Sequence, residues 1–307
     1  MALDEVVRSL FAASLAESTK RTYSSQLRTY FKFCSTYGYW AFPASLDTIL
    51  RYIGYLSTRL SYASIQQYVS VVRVMHEEGF PSSKRINYAL RGVRRILGDK
   101  STRKLPITLS VLRLLRTQCD LTRSEDLAFW CACLVMFYGM LRKSSLFPSG
   151  GRNVCIGDVS IVSSGLVLHL RYSKTVQFQQ RETFVVLPIN SNMDLCPVAA
   201  LLSLWSQTGV SRTSAPLLPV SRKRRIFALT GSHFTKLLAS HLSNLNLTGY
   251  SGHSFRRGGA SHALAMGVPT EVIMAQGDWK SNCYLRYLNL DQVSPRSRHI
   301  TKMAFSS

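Results

Sequence analysis

The sequence predicts a mainly α-helical chain with a small antiparallel β-sheet in its carboxy-terminal domain. Three observations carry that prediction. Apolar residues recur at helical spacing almost throughout residues 1–97. A polar, charged stretch closed by Pro106, GDKSTRKLPIT, breaks the pattern and reads as a linker. Beyond it, a single β-rich segment, GLVLHLRYSKTVQFQQRETFVVLPI, stands between helical patterns. The expected organisation is a helical domain over 1–97, a linker over 98–108, a mixed α/β domain over 109–293 and a tail over 294–307. The 307 residues are enough for two domains, each with its own core.

In chain order, Ser18 or Thr19 is placed to cap a helix through TKRTYSSQLRTYFKFCSTYG that stops at Gly38. Helices follow in SLDTILRYIGYLSTRL, SYASIQQYVSVVRVMHEEG and KRINYALRGVRRIL, with no competing strand signal. In the second domain, helices near SVLRLLRTQC and EDLAFWCACLVMFYGML lead into the β-rich segment. Its two runs, Leu166–Tyr172 and Glu182–Leu187, read as a hairpin whose polar turn presents Lys174. Helices resume after Pro197 with VAALLSLWSQTG and GSHFTKLLASHLSNLNL, followed by shorter ones. There is no internal repeat.

Composition narrows the partners. Hydrophobic residues make up 46% of the chain while the net charge is +22, a globular content under a surface that attracts polyanions. Both halves share the charge: residues 1–104 hold 16 Lys/Arg against 7 Asp/Glu, and residues 105–307 hold 22 against 9. Two basic lobes suit a clamp on double-stranded DNA, where phosphate neutralisation supplies sequence-independent affinity. Charge alone would equally describe a ribosomal or chromatin protein. Seven scattered cysteines argue against a disulfide framework and for a reducing compartment, and no spacing reads as a zinc site. The start, MALDEVVRSLFAAS, lacks the pattern of a secretory signal. The longest apolar run, Leu127 to Leu141, is shorter than the ~20 residues of a membrane span and reads as a buried helix.

Residues 252–288, GHSFRRGGASHALAMGVPTEVIMAQGDWKSNCYLRYL, carry the chemistry. His253 and Arg256 stand three apart at the start of a helix, so both side chains lie on one face. Arg offers a fork of donors to phosphate oxygens, and His adds a donor or a proton shuttle. An HxxR pair alone specifies little.

The wider pattern is more specific. GHSFRRGGA followed by GDWKSNCYLRYL resembles the carboxy-terminal signature of tyrosine recombinases, the phage-integrase-like superfamily, and its wording is most similar to recombinases of DIRS-like and Crypton-like eukaryotic mobile elements. The resemblance covers the second domain and, more loosely, the helical first domain as a core-binding domain. It implies a site of two arginines, a hairpin lysine, a histidine, a second histidine or tryptophan, and a tyrosine nucleophile. FYGMLRKSS supplies Arg142, RYSKTVQ Lys174, HSFR His253 and Arg256, GDW Trp279 and YLRY Tyr287, all in the family's order. Tyr284 competes for the nucleophile, being three residues from Tyr287 on one helix face; family usage favours Tyr287. Trp279 reads equally well as a core residue.

The chemistry explains these residue types. A tyrosine hydroxyl of pKa ~10 attacks a phosphodiester only if its proton is removed and the phosphate charge is offset. Arg142 and Arg256 would contact the non-bridging oxygens and stabilise the pentavalent transition state. His253 would accept the tyrosine proton or position the phosphate, Lys174 would protonate the departing 5′-oxygen, and Trp279 would offer an indole N–H. No metal, cofactor or small-molecule substrate is expected.

One departure stands out: the family usually has an acidic residue three positions after the first arginine, and this chain has Ser145. A serine there offers a hydrogen bond but no charge. The resemblance implies a homodimer on each DNA site and a homotetramer in the synaptic complex. Two alternatives stay open, a type IB topoisomerase-like relaxing activity and a domesticated, catalytically weak DNA-binding protein. The cluster Arg222 to Arg225, RKRR, reads as a nuclear localisation signal, a DNA-backbone contact or a solvated loop. The tail SPRSRHITKMAFSS reads as a docking segment for a neighbouring protomer or as disordered. A nuclear location is expected, or a cytoplasmic one for a prokaryotic source.

Overall fold

The computed structural model of the chain describes residues 3–6, 10, 14–76, 79–98, 104–148, 150, 152–171 and 183–279. It divides into two compact units, Met1–Thr102 and Arg103–Ser307.

The first unit is built from α1 (Glu17–Tyr37), α2 (Leu46–Ser57), α3 (Tyr62–Val74) and α4 (Lys84–Leu97). Ser45, Ser61 and Ser83 cap the last three, each side chain accepting a main-chain N–H of the first turn. α1 differs from expectation. Its N-cap is Ala16, and Ser18 and Thr19 lie outside the capping position; Glu17 in the first turn, paired with Lys20 at 2.7 Å, complements the helix dipole instead. Gly38 ends α1 as expected, in the left-handed conformation at φ 70°. Tyr30, Phe33 and Cys34 of α1 meet Ile49, Tyr52 and Ile53 of α2 in the core, the i, i+3, i+4 spacing read from the sequence. The Tyr30 and Tyr52 rings meet edge-on at 4.9 Å.

The second unit begins inside the expected linker. Rather than spanning domains, residues 104–108 pack into this unit: the Leu105 N–H donates to the Gly249 carbonyl at 2.8 Å and the Ile107 N–H to Ser254 at 2.9 Å. Ile107 is fully buried, and the area it removes from water is reason enough for the segment to settle there. Then come α5 (Leu109–Thr117), α6 (Ser124–Tyr138) and the single turn α7 (Lys143–Leu146). Every residue of α6 from Asp126 to Phe137 is buried, so the long apolar run is the central helix of the domain. Among the described residues no helix is long and apolar enough to cross a membrane.

Strands β1 (Val159–Val162), β2 (Gly165–Leu170) and β3 (Thr183–Pro188) form an antiparallel sheet in sequence order. The expected hairpin is β2–β3, with Leu170 opposite Thr183. Its inner face alternates: Leu166, Leu168, Leu170, Val185 and Leu187 are buried, while Phe184 and Val186 face outward. The sequence reading missed β1, and it also missed a second hairpin, β4 (Pro219–Arg222) with β5 (Arg225–Ala228). The RKRR cluster is the turn of that hairpin. Lys223 and Arg224 take φ 47° and 62°, as a two-residue turn with positive φ at both centres requires. Arg222 is ion-paired to Glu125 at the start of α6. Around the sheet lie α8 (Pro197–Thr208), α9 (Gly231–Asn244), α10 (Gly252–Ala265) and α11 (Thr270–Gln276).

Candidate active site

Three segments of the second unit converge: the turn after α6, the first half of α10 and the turn after α11. Gly139 closes α6, and a Cβ there would sit 2.6 Å from the Val135 carbonyl oxygen and 2.9 Å from Val185 of β3. Glycine thus lets the helix end dock on the sheet. Met140 then turns the chain with φ 47°, and Arg142 opens α7. Residues other than glycine at positive φ cost energy that the surroundings must offset, and they cluster at functional sites.

α10 is set by its cap. Ser251 and Ser254 form a capping box, which fixes the first turn carrying His253. One face of the helix is then pressed from both sides. A Cβ on Gly258 would overlap the Ile107 carbonyl, and one on Gly259 would overlap the Phe137 carbonyl at the end of α6. The paired glycines after Arg256 therefore allow two main-chain segments to touch α10 directly.

That close approach brings Arg256 to the centre of the site, 2% exposed. Its Nη1 donates to the Met140 carbonyl and its Nη2 to the Gly277 carbonyl, each at 2.6 Å. Its guanidinium lies 3.9 Å from the centre of the Trp279 ring. Arg256 thus ties the turn that leads to Arg142 to the turn that leads to Trp279. The sequence gives this arginine to phosphate oxygens; the structure also gives it the Met140 and Gly277 carbonyls to hold, because the two Nη groups of a rigid planar fork reach two separated acceptors in fixed directions. Trp279 is 5% exposed and packs with Met140, Ala260 and Ile273, so it is both a core residue and a wall of the site. Its main-chain N–H donates to Met274 at 2.9 Å, which closes the turn after α11.

Arg142 faces the same turn, its Nη1 4.0 Å from Oδ2 of Asp278. His253 is exposed on the first turn of α10. The start of that turn lies against the start of α7, a Cβ on Gly252 being 3.4 Å from the Lys143 Cβ. Of the six residues singled out from sequence, Arg142, His253, Arg256 and Trp279 therefore sit on neighbouring turns. Lys174, Tyr287 and the competing Tyr284 lie outside the described residues, although the strands on either side of the Lys174 segment pair as expected.

Sequence reasoning missed Gln276. Its carboxamide accepts from the Val186 N–H at 3.2 Å and donates to the Val186 and Tyr138 carbonyls at 2.6 and 3.0 Å. One side chain thus joins the outer edge of the β2–β3 hairpin, the end of α6 and the end of α11. No periodicity marks a residue whose partners lie 90 and 138 positions away.

The fold defines a class: the chain has the fold of the tyrosine recombinases and integrases. The integrase/recombinase xerD homolog of Selenomonas ruminantium is 24% identical over 279 residues, spanning 87% of this chain and 80% of that protein. A lambda integrase dimer bound to a COC' core site matches with a TM-score of 0.63 at 14% identity, over 94% of this chain and 76% of that one. The Tn1549 transposon integrase in complex with circular intermediate DNA gives 0.57 at 13%, over 95% and 97%. The XerH site-specific recombinase bound to palindromic difH substrate gives 0.59 at 11%, over 83% and 71%. No family model matches the chain.

Proposed function

We propose that the protein is a site-specific DNA recombinase that cuts and rejoins DNA through a 3′-phosphotyrosyl intermediate, in the integration or excision of a mobile element. The observation that carries the reading is Arg256 binding the Arg142 turn to the Trp279 turn. Two arginines on turns that neighbour an exposed histidine concentrate positive charge of the kind that suits a phosphodiester. The fold shared with integrases seen on DNA supports the same substrate.

In this reading Arg142 and Arg256 offset the charge on the scissile phosphate. The Tyr287 oxygen forms a bond to phosphorus and gives up its proton towards His253, while the bond to the 5′-oxygen breaks and Lys174 protonates that oxygen. The phosphotyrosyl ester keeps the bond energy, so rejoining by an incoming 5′-hydroxyl reverses the same steps. Both basic units grip the duplex, a homodimer fills each site, and a tetramer exchanges strands. The wording GDWKSNCYLRYL supports an origin in a DIRS-like or Crypton-like element, and with it work in the nucleus.

The test is a set of nicked duplexes with a randomised core, on which cleavage strands the enzyme as a covalent adduct. Wild type and Tyr284→Phe should form the adduct, and Tyr287→Phe should not. A Tyr287→Phe protein that still forms it while Tyr284→Phe fails would move the nucleophile to Tyr284. Relaxation of supercoiled plasmid without sequence preference would overturn the recombinase reading.

A further inference from the structure

We propose that Asp278 is a positioning residue for Arg142, supplying from the turn after α11 the negative charge that the α7 turn lacks. The inference rests on the recombinase reading above.

Arg142 opens α7, and the residues of that turn, Lys143, Ser144, Ser145 and Leu146, contain no carboxylate. Ser145 is 4% exposed, and its N–H is spent on the Arg142 carbonyl at 2.9 Å. A charge to orient the arginine must come from another element, and Asp278 brings one. Its Oδ2 stands 4.0 Å from Arg142 Nη1, with the two side chains only 10% and 19% exposed. Screening by water is weak in such surroundings, so a carboxylate at that range directs a guanidinium strongly. At 4.0 Å it acts as a charge contact rather than a tight hydrogen bond, so it aims Arg142 without closing the fork around itself.

The backbone supplies a second observation. Asp278 holds φ 51°, a region that glycine enters freely and an L-residue enters only at an energetic cost. Asp and Asn tolerate this region better than most residues, so the torsion alone says little. Joined to the Arg142 contact, it marks a position where a side chain is kept although glycine would suit the backbone better. The three residues Gly277, Asp278 and Trp279 then serve both arginines: the Gly277 carbonyl and the Trp279 ring hold Arg256, and the Asp278 carboxylate orients Arg142.

The experiment compares Asp278→Gly and Asp278→Asn with wild type on the nicked duplexes. Asp278→Gly removes the charge and relieves the torsion, so the melting temperature should stay level or rise while the rate of adduct formation falls roughly tenfold or more. Asp278→Asn, close in shape, should show the same loss. A duplex with methylphosphonate at the scissile position has no phosphate charge for Arg142 to offset, and on it both variants should approach the wild-type rate. Wild-type rates for both variants on the ordinary duplex overturn the proposal. So does a loss of rate that runs in parallel with a loss of melting temperature, or an equal deficit on methylphosphonate. A wild type that forms no adduct overturns the recombinase reading itself, and with it the role of Asp278.

Discussion

At the scale of single residues, the site depends on glycines as much as on charged groups. Gly259 allows the end of α6 to touch α10 one turn from Arg256. Gly259→Ala should destabilise the second unit by about 1–3 kcal/mol through overpacking and displace Arg256, lowering both melting temperature and adduct yield. Gly54 in α2 makes the contrast, since a Cβ there meets nothing within 4 Å. Gly54→Ala should leave the first unit as stable or more stable by about 0.5–1 kcal/mol. Thermal melting of the two full-length variants separates the outcomes. The sequence shows two glycines just after Arg256, but which segments they admit depends on Ile107 and Phe137, far away in the chain.

At the scale of elements, the hairpin is held to the helices by side-chain amide chemistry. Gln276→Leu would leave the Val186 N–H and carbonyl and the Tyr138 carbonyl without that partner, at a cost of about 1–3 kcal/mol. Hydrogen exchange at Val186 should accelerate in the variant; an unchanged rate would show that the edge of β3 does not need the clamp. In the first unit, His76 plays a comparable part. Its Nε2 accepts from the Ala44 N–H at 3.1 Å, its Nδ1 stands 2.7 Å from the Val72 carbonyl, and its ring packs on Phe42 and Phe80. His76→Ala should lower the stability of that unit by about 1–2 kcal/mol, read from denaturant unfolding. Helices of the first unit were legible because each shows one apolar face and most begin at a serine cap. Strands β1, β4 and β5 were not, since four-residue strands rich in charge or exposed on one side leave too short a pattern to separate from loop.

At the scale of the whole molecule, the buried His241 and the half-buried His262 set a pH dependence. Burial pushes the His241 imidazole below its ordinary range, opposed by the nearby Asp126 carboxylate, and burial alone does the same to His262. A depressed folded-state value means the unfolded chain binds the proton more readily. Stability from these groups is therefore full above the ordinary histidine value of about 6.5 and is lost as pH falls below it. Melting temperature should drop between about pH 7 and 5, and His262→Phe should flatten part of that slope. The +22 net charge makes a second expectation: DNA affinity should fall steeply as salt rises, linearly in the logarithms, as released counterions require. An affinity that ignores salt would remove phosphate contact as the main source of binding.

The sequence by itself determined that this chain is two basic, mainly helical units, and its resemblance to the tyrosine recombinases nominated Arg142, Lys174, His253, Arg256, Trp279 and Tyr287 as the candidate reactive set. Local periodicity and motif order carry that information, because each is written within a few consecutive residues. Only the tertiary structure decided how the arginines are held. The carbonyls of Met140 and Gly277, the carboxylate of Asp278 and the amide of Gln276 acquire their meaning from packing. Hydrogen bonds and charge contacts act over about 3–4 Å in space with no regard to distance along the chain, and no spacing in a sequence records them.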